Sequence, residues 1–219
     1  MRRLAIVHTE ASLGWGGQEI RILSESRGLI GRGHDVKLLC PREAHIHDEA
    51  PNWGVPAVAL PIGKKRVKGV RALIDWFRDE RCDVVNTHSS TDSWLVGLAL
   101  TTLGRPFPVV RTRHISSPVP KNPATRWLYE RVASRIVTTG EALKRQLVEV
   151  NGFDGTKIDS VPTGVDTERF RPGERAVCYH VHHSAGRNRF VVGAHFYRQF
   201  YYECQHAHWL FDFTRRCGQ

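Results

Sequence analysis

Leu4-Ala5-Ile6-Val7-His8 is a short apolar run that passes directly into Thr9-Glu10-Ala11-Ser12-Leu13-Gly14-Trp15-Gly16-Gly17-Gln18-Glu19, a polar turn rich in glycine. Beyond the turn, apolar residues recur at helical spacing over residues 18–30. A run of five residues suits a strand buried on both faces, and the longer periodic stretch suits a helix laid on it. The pattern then repeats. Further strands are expected at residues 36–40, 57–60, 84–87, 109–112, 135–138 and 158–161, and further helices at 67–80, 91–103, 123–133 and 141–150. Strands alternating with helices imply right-handed crossovers and a doubly wound α/β fold, a Rossmann-like parallel sheet covered on both faces. Ligands of such sheets sit outside the carboxyl ends of the strands, so the loops that follow each strand are where chemistry is sought.

Three of these loops carry it. In the first, Gly16 and Gly17 allow close backbone approach, and the free amides of the helix start favour an anion such as a diphosphate. The spacing is neither Gly-x-Gly-x-x-Gly nor a P-loop. The plainer alternative is a turn that needs positive φ. Trp15 either packs locally or stacks on a sugar ring. After the fourth strand come Asn86-Thr87-His88-Ser89-Ser90-Thr91-Asp92, and after the fifth Arg111-Thr112-Arg113-His114-Ile115-Ser116-Ser117. Histidine and hydroxyl groups at strand ends orient sugar hydroxyls, and arginine holds phosphate. Thr91 and Asp92, at a helix start, read as caps. His88 and His114 stand open between a binding role and that of a satisfied structural histidine.

Lys64, Lys65, Arg66, Lys68 and Arg71 lead into a helix whose expected apolar face is Val67, Val70, Leu73, Ile74 and Phe77. The basic residues form either a solvated loop or a membrane-facing patch, each cation adding about 1 kcal/mol close to an anionic surface.

The 219 residues hold 32 Lys plus Arg against 22 Asp plus Glu, a formal charge of +10, which suits nucleic acid, an anionic membrane or phosphorylated ligands. Nucleic acid has only this charge in its favour. Hydrophobic content of 41% is enough for a sizeable core. No apolar run reaches the roughly 18 residues of a spanning helix, and the apolar run after Arg3 is too short for a signal peptide. Five unevenly spaced Cys with no Cys-x-x-Cys fit reduced thiols. A cytoplasmic location is expected, with peripheral association at the inner membrane face if the basic patch binds lipid.

The composition changes near residue 175. Residues 176–219 hold 6 of the 12 His, 3 of the 5 Cys and 10 of the 20 aromatics, yet one Leu and no Ile, Lys or Pro. No helical or strand period persists there, so no core face can form. An out-of-frame or poorly folded tail accounts for this better than a metal site at Cys178, His180, His182, His183, Cys204, His206 and His208, whose spacings do not match those of zinc ligands. The expected organisation is a domain at residues 1–175 and an atypical tail at 176–219.

Taken in order, Gly14-Trp15-Gly16-Gly17-Gln18-Glu19, Gly31-Arg32-Gly33-His34-Asp35-Val36, Asp83-Val84-Val85-Asn86-Thr87-His88-Ser89, Thr112-Arg113-His114, Thr139-Gly140-Glu141-Ala142-Leu143 and Val161-Pro162-Thr163-Gly164-Val165-Asp166-Thr167-Glu168-Arg169-Phe170 resemble the N-terminal domain of family 4 glycosyltransferases of the GT-B fold. The resemblance covers roughly residues 3–173. It implies an acceptor-side domain that works with a donor-binding second domain, transferring a hexosyl group from a nucleotide sugar to a lipid-linked or saccharide acceptor with retention, in the making of a lipopolysaccharide-like surface glycan. By the same resemblance, Gly16 and Gly17 approach the donor diphosphate, His114 is the catalytic-site residue beside the transferred sugar, and Glu10, His88 and Arg111 contact acceptor. No metal and no cofactor beyond the nucleotide-sugar substrate are implied. The family's Glu-x7-Glu donor motif belongs to the second domain. Glu141 and Glu149 share its spacing but lie about 12 Å apart along one helix, as ordinary surface carboxylates do. A chain without that second domain is expected to transfer little or nothing alone. The competing reading is a non-enzymatic module that binds an anionic membrane or a partner protein. A dinucleotide oxidoreductase is disfavoured by the glycine spacing.

Overall fold

In the computed structural model, residues 2–115 and 117–164 are described. The tail at 176–219 and residues 165–170 of the last matching stretch lie outside them.

All seven expected strands form: β1 (Ala5–Thr9), β2 (Asp35–Cys40), β3 (Ala57–Ala59), β4 (Val84–Thr87), β5 (Val109–Arg113), β6 (Arg135–Thr138) and β7 (Ile158–Ser160). They make one parallel sheet in the order β3-β2-β1-β4-β5-β6-β7. The order reverses between β1 and β4, so the loops leaving these two strands diverge and open a crevice at their carboxyl ends. β1 is buried along its whole length, as its near-continuous apolar sequence requires.

Because strand side chains alternate, the two faces of the sheet collect different residues. Val7, Leu39 and Val85 pack with Leu73 and Phe77 of α3 (Val67–Asp79) and with Leu95, Ala99 and Leu100 of α4 (Ser90–Thr102). On the other side Leu38 and Cys40 meet Ile22 and Leu23 of α1 (Gly17–Gly31), together with Ala44, Ile46 and Val55. Burying an Ile or Leu such as Ile22 or Leu23 stabilises the fold by about 1.5–3 kcal/mol. The turn from α1 to β2 requires Gly33, whose φ of 86° a residue with a Cβ adopts only under strain.

Several local expectations are corrected. A short helix at His45–Glu49, continued by a 3-10 turn at Ala50–Trp53, escaped the periodicity reading because five residues complete barely more than one turn. The helices expected at 123–133 and 141–150 each begin as α (Pro123–Trp127, Glu141–Arg145) and widen to a π-helical end (Leu128–Val132, Gln146–Val150). Val67 does not join the buried face of α3. As the first helical residue, with Gly69 already against Pro61 and Leu95, it projects outward and is 83% exposed.

Candidate functional site

Parallel register sets His8 of β1 beside Asn86 of β4 and Thr9 beside Thr87, so the residues that follow, Glu10 and His88, emerge side by side at the crevice. His8 Nδ1 lies 2.8 Å from His88 Nε2, and His88 Nδ1 lies 2.9 Å from His114 Nε2 in the loop after β5. Three imidazoles from three strand ends thus form one hydrogen-bonded chain, with successive ring centroids 5.1 and 5.2 Å apart. His8 and His88 are buried and His114 is half-buried.

Burial lowers the pKa of His8 to about 4. For His114, burial and then the nearby Arg21 charge lower it to about 3. His88 falls well below the ordinary histidine value, through burial first and the flanking histidines second. All three rings are therefore neutral at neutral pH, each with one donor and one acceptor nitrogen.

Asp92 ties the crevice together. Its Oδ2 accepts from Thr9 Oγ1 at 2.6 Å and from the His88 amide at 2.9 Å, while Oδ1 accepts from the Ser89 amide at 2.8 Å and Ser89 Oγ at 2.6 Å. With Ser89 it makes a capping box on α4, so the cap reading of Asp92 holds, with Ser89 rather than Thr91 as the capping residue. Glu10 is fully buried and accepts from the Ser12 amide at 2.7 Å and from the Gln18 side chain. Burial, and then the charge of Asp92, raise its pKa to about 8. Burial also raises the pKa of Asp92, against the hydrogen bonds it receives. With four donors and a helix N-terminus on Asp92, the proton that the two carboxyl groups retain at neutral pH belongs to Glu10.

The other expected site residues sit as follows. Gly16 is the N-cap of α1 with extended backbone (φ −171°), and no side chain caps that helix start. The positive-φ alternative is thereby excluded at Gly16, and first-turn amides of α1 have no side-chain cap. Trp15 packs, stacking on His45 with centroids 4.9 Å apart. Arg111 is buried and turned inward: Nη1 donates to Ser89 O at 3.1 Å and to Ser93 Oγ, and the guanidinium lies 4.9 Å from the Tyr129 ring centroid. It props the start of α4 from beneath. Lys64, Lys65, Arg66, Lys68 and Arg71 are all exposed, in and after the loop that leaves edge strand β3. Glu141 and Glu149 are exposed.

Two participants went unnoticed in the sequence. His8 was read only as the end of a strand, although a histidine closing an apolar run was the available signal. Arg21 of α1 is buried and donates to Thr163 Oγ1 at 2.7 Å and Val161 O at 3.0 Å, holding the segment that leaves β7. Nothing in the local pattern around Arg21 announces that contact. Among the described residues no group of three or more His, Cys, Asp and Glu is arranged to hold a metal ion. Cavities of about 280 and 330 Å³, lined in part by Phe153 and Lys157 and by Arg105 and Phe107, do not touch the histidine chain.

The class that the fold defines is a Rossmann-like parallel sheet, with neutral imidazoles and a carboxylic acid gathered at its switch point. The chain belongs to Glycosyltransferase Family 4, whose model matches residues 15–169. It is 24% identical over 182 residues to the UDP-Gal:alpha-D-GlcNAc-diphosphoundecaprenol alpha-1,3-galactosyltransferase of Escherichia coli, covering 78% of this chain and 47% of that protein. It is 36% identical over 110 residues to the D-inositol 3-phosphate glycosyltransferase of Nocardia farcinica (strain IFM 10152), covering 43% and 23%. Among solved structures, a glycosyltransferase from Rickettsia africae ESF-5 superposes with a TM-score of 0.68 at 16% identity, and Anabaena Alr3699/HepE in complex with UDP-glucose with 0.68 at 12% identity. Each match covers 84% of this chain and 50% of the other. The chain therefore spans about half the length, or less, of the proteins it matches. The described body has the fold of the N-terminal half of a GT-B glycosyltransferase.

Proposed function

We propose that residues 1–175 form the acceptor-side half of a sugar-transfer cleft, serving transfer of a hexosyl group from a nucleotide sugar to a lipid-linked or saccharide acceptor in surface-glycan synthesis. The observation that carries this reading is the meeting of His8, His88 and His114 beside Glu10 at the β1–β4 crevice. Neutral imidazole and protonated carboxyl groups give hydrogen bonds to sugar hydroxyls without the desolvation cost of a charge. His114, the partly exposed member of the chain, is the residue beside the transferred sugar. The uncapped start of α1 at Gly16 and Gly17 approaches the donor diphosphate, whose charge is favoured by the helix amides. Glu10 and His88 shape the acceptor wall from within, His88 acting through His114 because both of its ring nitrogens are bonded, and Arg111 supports that wall from below. The E. coli relative's diphosphoundecaprenol-linked acceptor and the UDP-glucose bound by the Anabaena protein motivate the substrate classes.

Stabilising a leaving diphosphate takes concentrated positive charge and amide dipoles, and here only the α1 amides are of that kind, His114 and Glu10 being neutral. The purified chain is accordingly expected to transfer little sugar alone. A radiolabelled transfer assay across common nucleotide sugars tests this, and robust turnover by the monomeric chain refutes it.

A second reading, binding of an anionic membrane surface, is favoured by one specific observation. Five exposed cations lie within four positions of Val67 in the chain, and Val67 is itself 83% exposed. An exposed apolar residue in a segment rich in Lys and Arg fits the headgroup boundary of an anionic bilayer. Such binding would bring the cleft to a lipid-linked acceptor at the inner face of the membrane. Reversing charge at Lys64, Lys65 and Lys68 is expected to weaken flotation with anionic liposomes by about 100-fold or more; unchanged binding removes this reading.

A further inference from the structure

His8 stands two residues outside the cleft-facing position, fully buried, yet it is bonded to the one histidine that is bonded to His114. With all three rings neutral, each carries a single N–H, and two hydrogen bonds join them. Only two arrangements satisfy both bonds. If His88 carries its hydrogen on Nδ1, it donates to His114 Nε2, and His8 must donate from its own Nδ1. If His88 carries it on Nε2, it donates to His8, and His114 must donate from Nε2. The chain therefore has one direction, shared by all three rings.

The far end of the chain chooses the direction. His8 Nε2 is buried with no hydrogen-bond partner. In the second arrangement that nitrogen carries a stranded N–H; in the first it carries only a lone pair. Stranded buried N–H donors are the rarer and costlier case. The first arrangement also leaves His114 Nδ1, which has no partner among the described residues, as an N–H donor.

We propose that His8 and His88 are positioning residues that lock His114 in the Nδ1–H tautomer, so that this ring offers its ligand a hydrogen-bond donor. The ligand atom opposite is then an acceptor oxygen, of a sugar hydroxyl or ring or of a phosphate, rather than a proton to be removed. This rests on the reading of His114 as the residue beside the sugar, but the tautomer itself is independent of any ligand. No charge moves along the chain, and no proton leaves it.

Long-range proton–nitrogen correlation spectra of the imidazoles test this on the full, ligand-free chain at neutral pH, since protonated and bare ring nitrogens resonate in separate ranges. The expected result is Nδ1–H at His8, His88 and His114, favoured about tenfold or more over the other tautomer. Nε2–H at His114, or comparable populations of both forms, overturns the proposal. His8→Phe keeps the size of the ring and removes the bond. In that variant the buried end of the chain becomes His88 Nε2, which by the same rule keeps a lone pair, so His114 is expected to stay Nδ1–H while the methyl spectrum stays native, and a switch to Nε2–H overturns the proposal. His8→Asp, whose carboxylate near the Nδ1 position only accepts, is expected to turn the chain round and put the His114 hydrogen on Nε2, and a His114 that keeps Nδ1–H overturns the role given to His8. A failure of the sugar reading shows separately, as a locked His114 whose signals do not move when free galactose, glucose or inorganic diphosphate is added to high millimolar concentration.

Discussion

The buried Glu10 makes stability fall as the solution becomes more alkaline, against the usual behaviour of a carboxylate. Its pKa is about 8 in the folded chain against 4.5 for a free side chain. Between those values the folded state holds a proton that the unfolded state has lost, so stability is fully present below pH 4.5 and is lost as pH rises through 8. The histidines act in the opposite sense. With pKa values lowered from 6.5 to about 4 at His8 and about 3 at His114, they make stability rise with pH up to 6.5 and contribute nothing beyond it. The window between pH 6.5 and 8 thus isolates the carboxyl group. About 1.5 pH units at about 1.4 kcal/mol per unit gives a loss of about 2 kcal/mol across it. Glu10→Gln mimics the protonated acid, keeps an acceptor for the Ser12 amide and can donate to the Gln18 carbonyl. The variant is therefore expected to be nearly level through the window, so that its stability relative to the wild type grows by about 2 kcal/mol between pH 6.5 and 8. Any slope left belongs to Glu25 and Asp92, whose pKa values burial also raises. Urea unfolding at several pH values, with m held constant, measures the difference. Wild-type stability that is flat or rising from pH 6.5 to 8, or a Glu10→Gln variant with an undiminished slope, would refute the assignment of the proton to Glu10.

Asp92→Ala strands the Thr9 hydroxyl and the His88 amide in a buried site and removes the α4 capping box. A loss of about 3–5 kcal/mol is expected in urea unfolding, and a loss below 1 kcal/mol would mean that water replaces the carboxylate. Gly69→Ala would place a Cβ 2.9 Å from Pro61 O and 3.2 Å from Leu95 Cδ1, where backbone cannot retreat, and should cost about 1–3 kcal/mol in the same measurement. Gly31→Ala, with nothing within 4 Å of its Cβ, is the control and is expected to be neutral or stabilising.

Much of the molecule was legible before any coordinates. Each strand is a short apolar run closed by polar residues, so local hydrophobicity located all seven, and the expected boundaries of the first and last differ from β1 and β7 by one residue at each shifted end. The glycine-bearing first turn and the two histidine-bearing turns follow from the same reading, since in a parallel sheet every loop after a strand leaves from one rim. The short His45–Glu49 helix and the exposure of Val67 were not legible, because a single turn carries no measurable period and a helix's first residue need not share its buried face.

The sequence alone determined the alternation of strand and helix, the family, and the rim on which Gly16, His88 and His114 lie. The tertiary structure decided which of these residues touch. His8 and His88 are 80 positions apart and meet only because β1 lies beside β4. Arg111 turns inward because Ser89, Ser93 and Tyr129 offer it partners there. Strand order and side-chain direction arise from long-range packing of whole elements, and local periodicity contains no record of either.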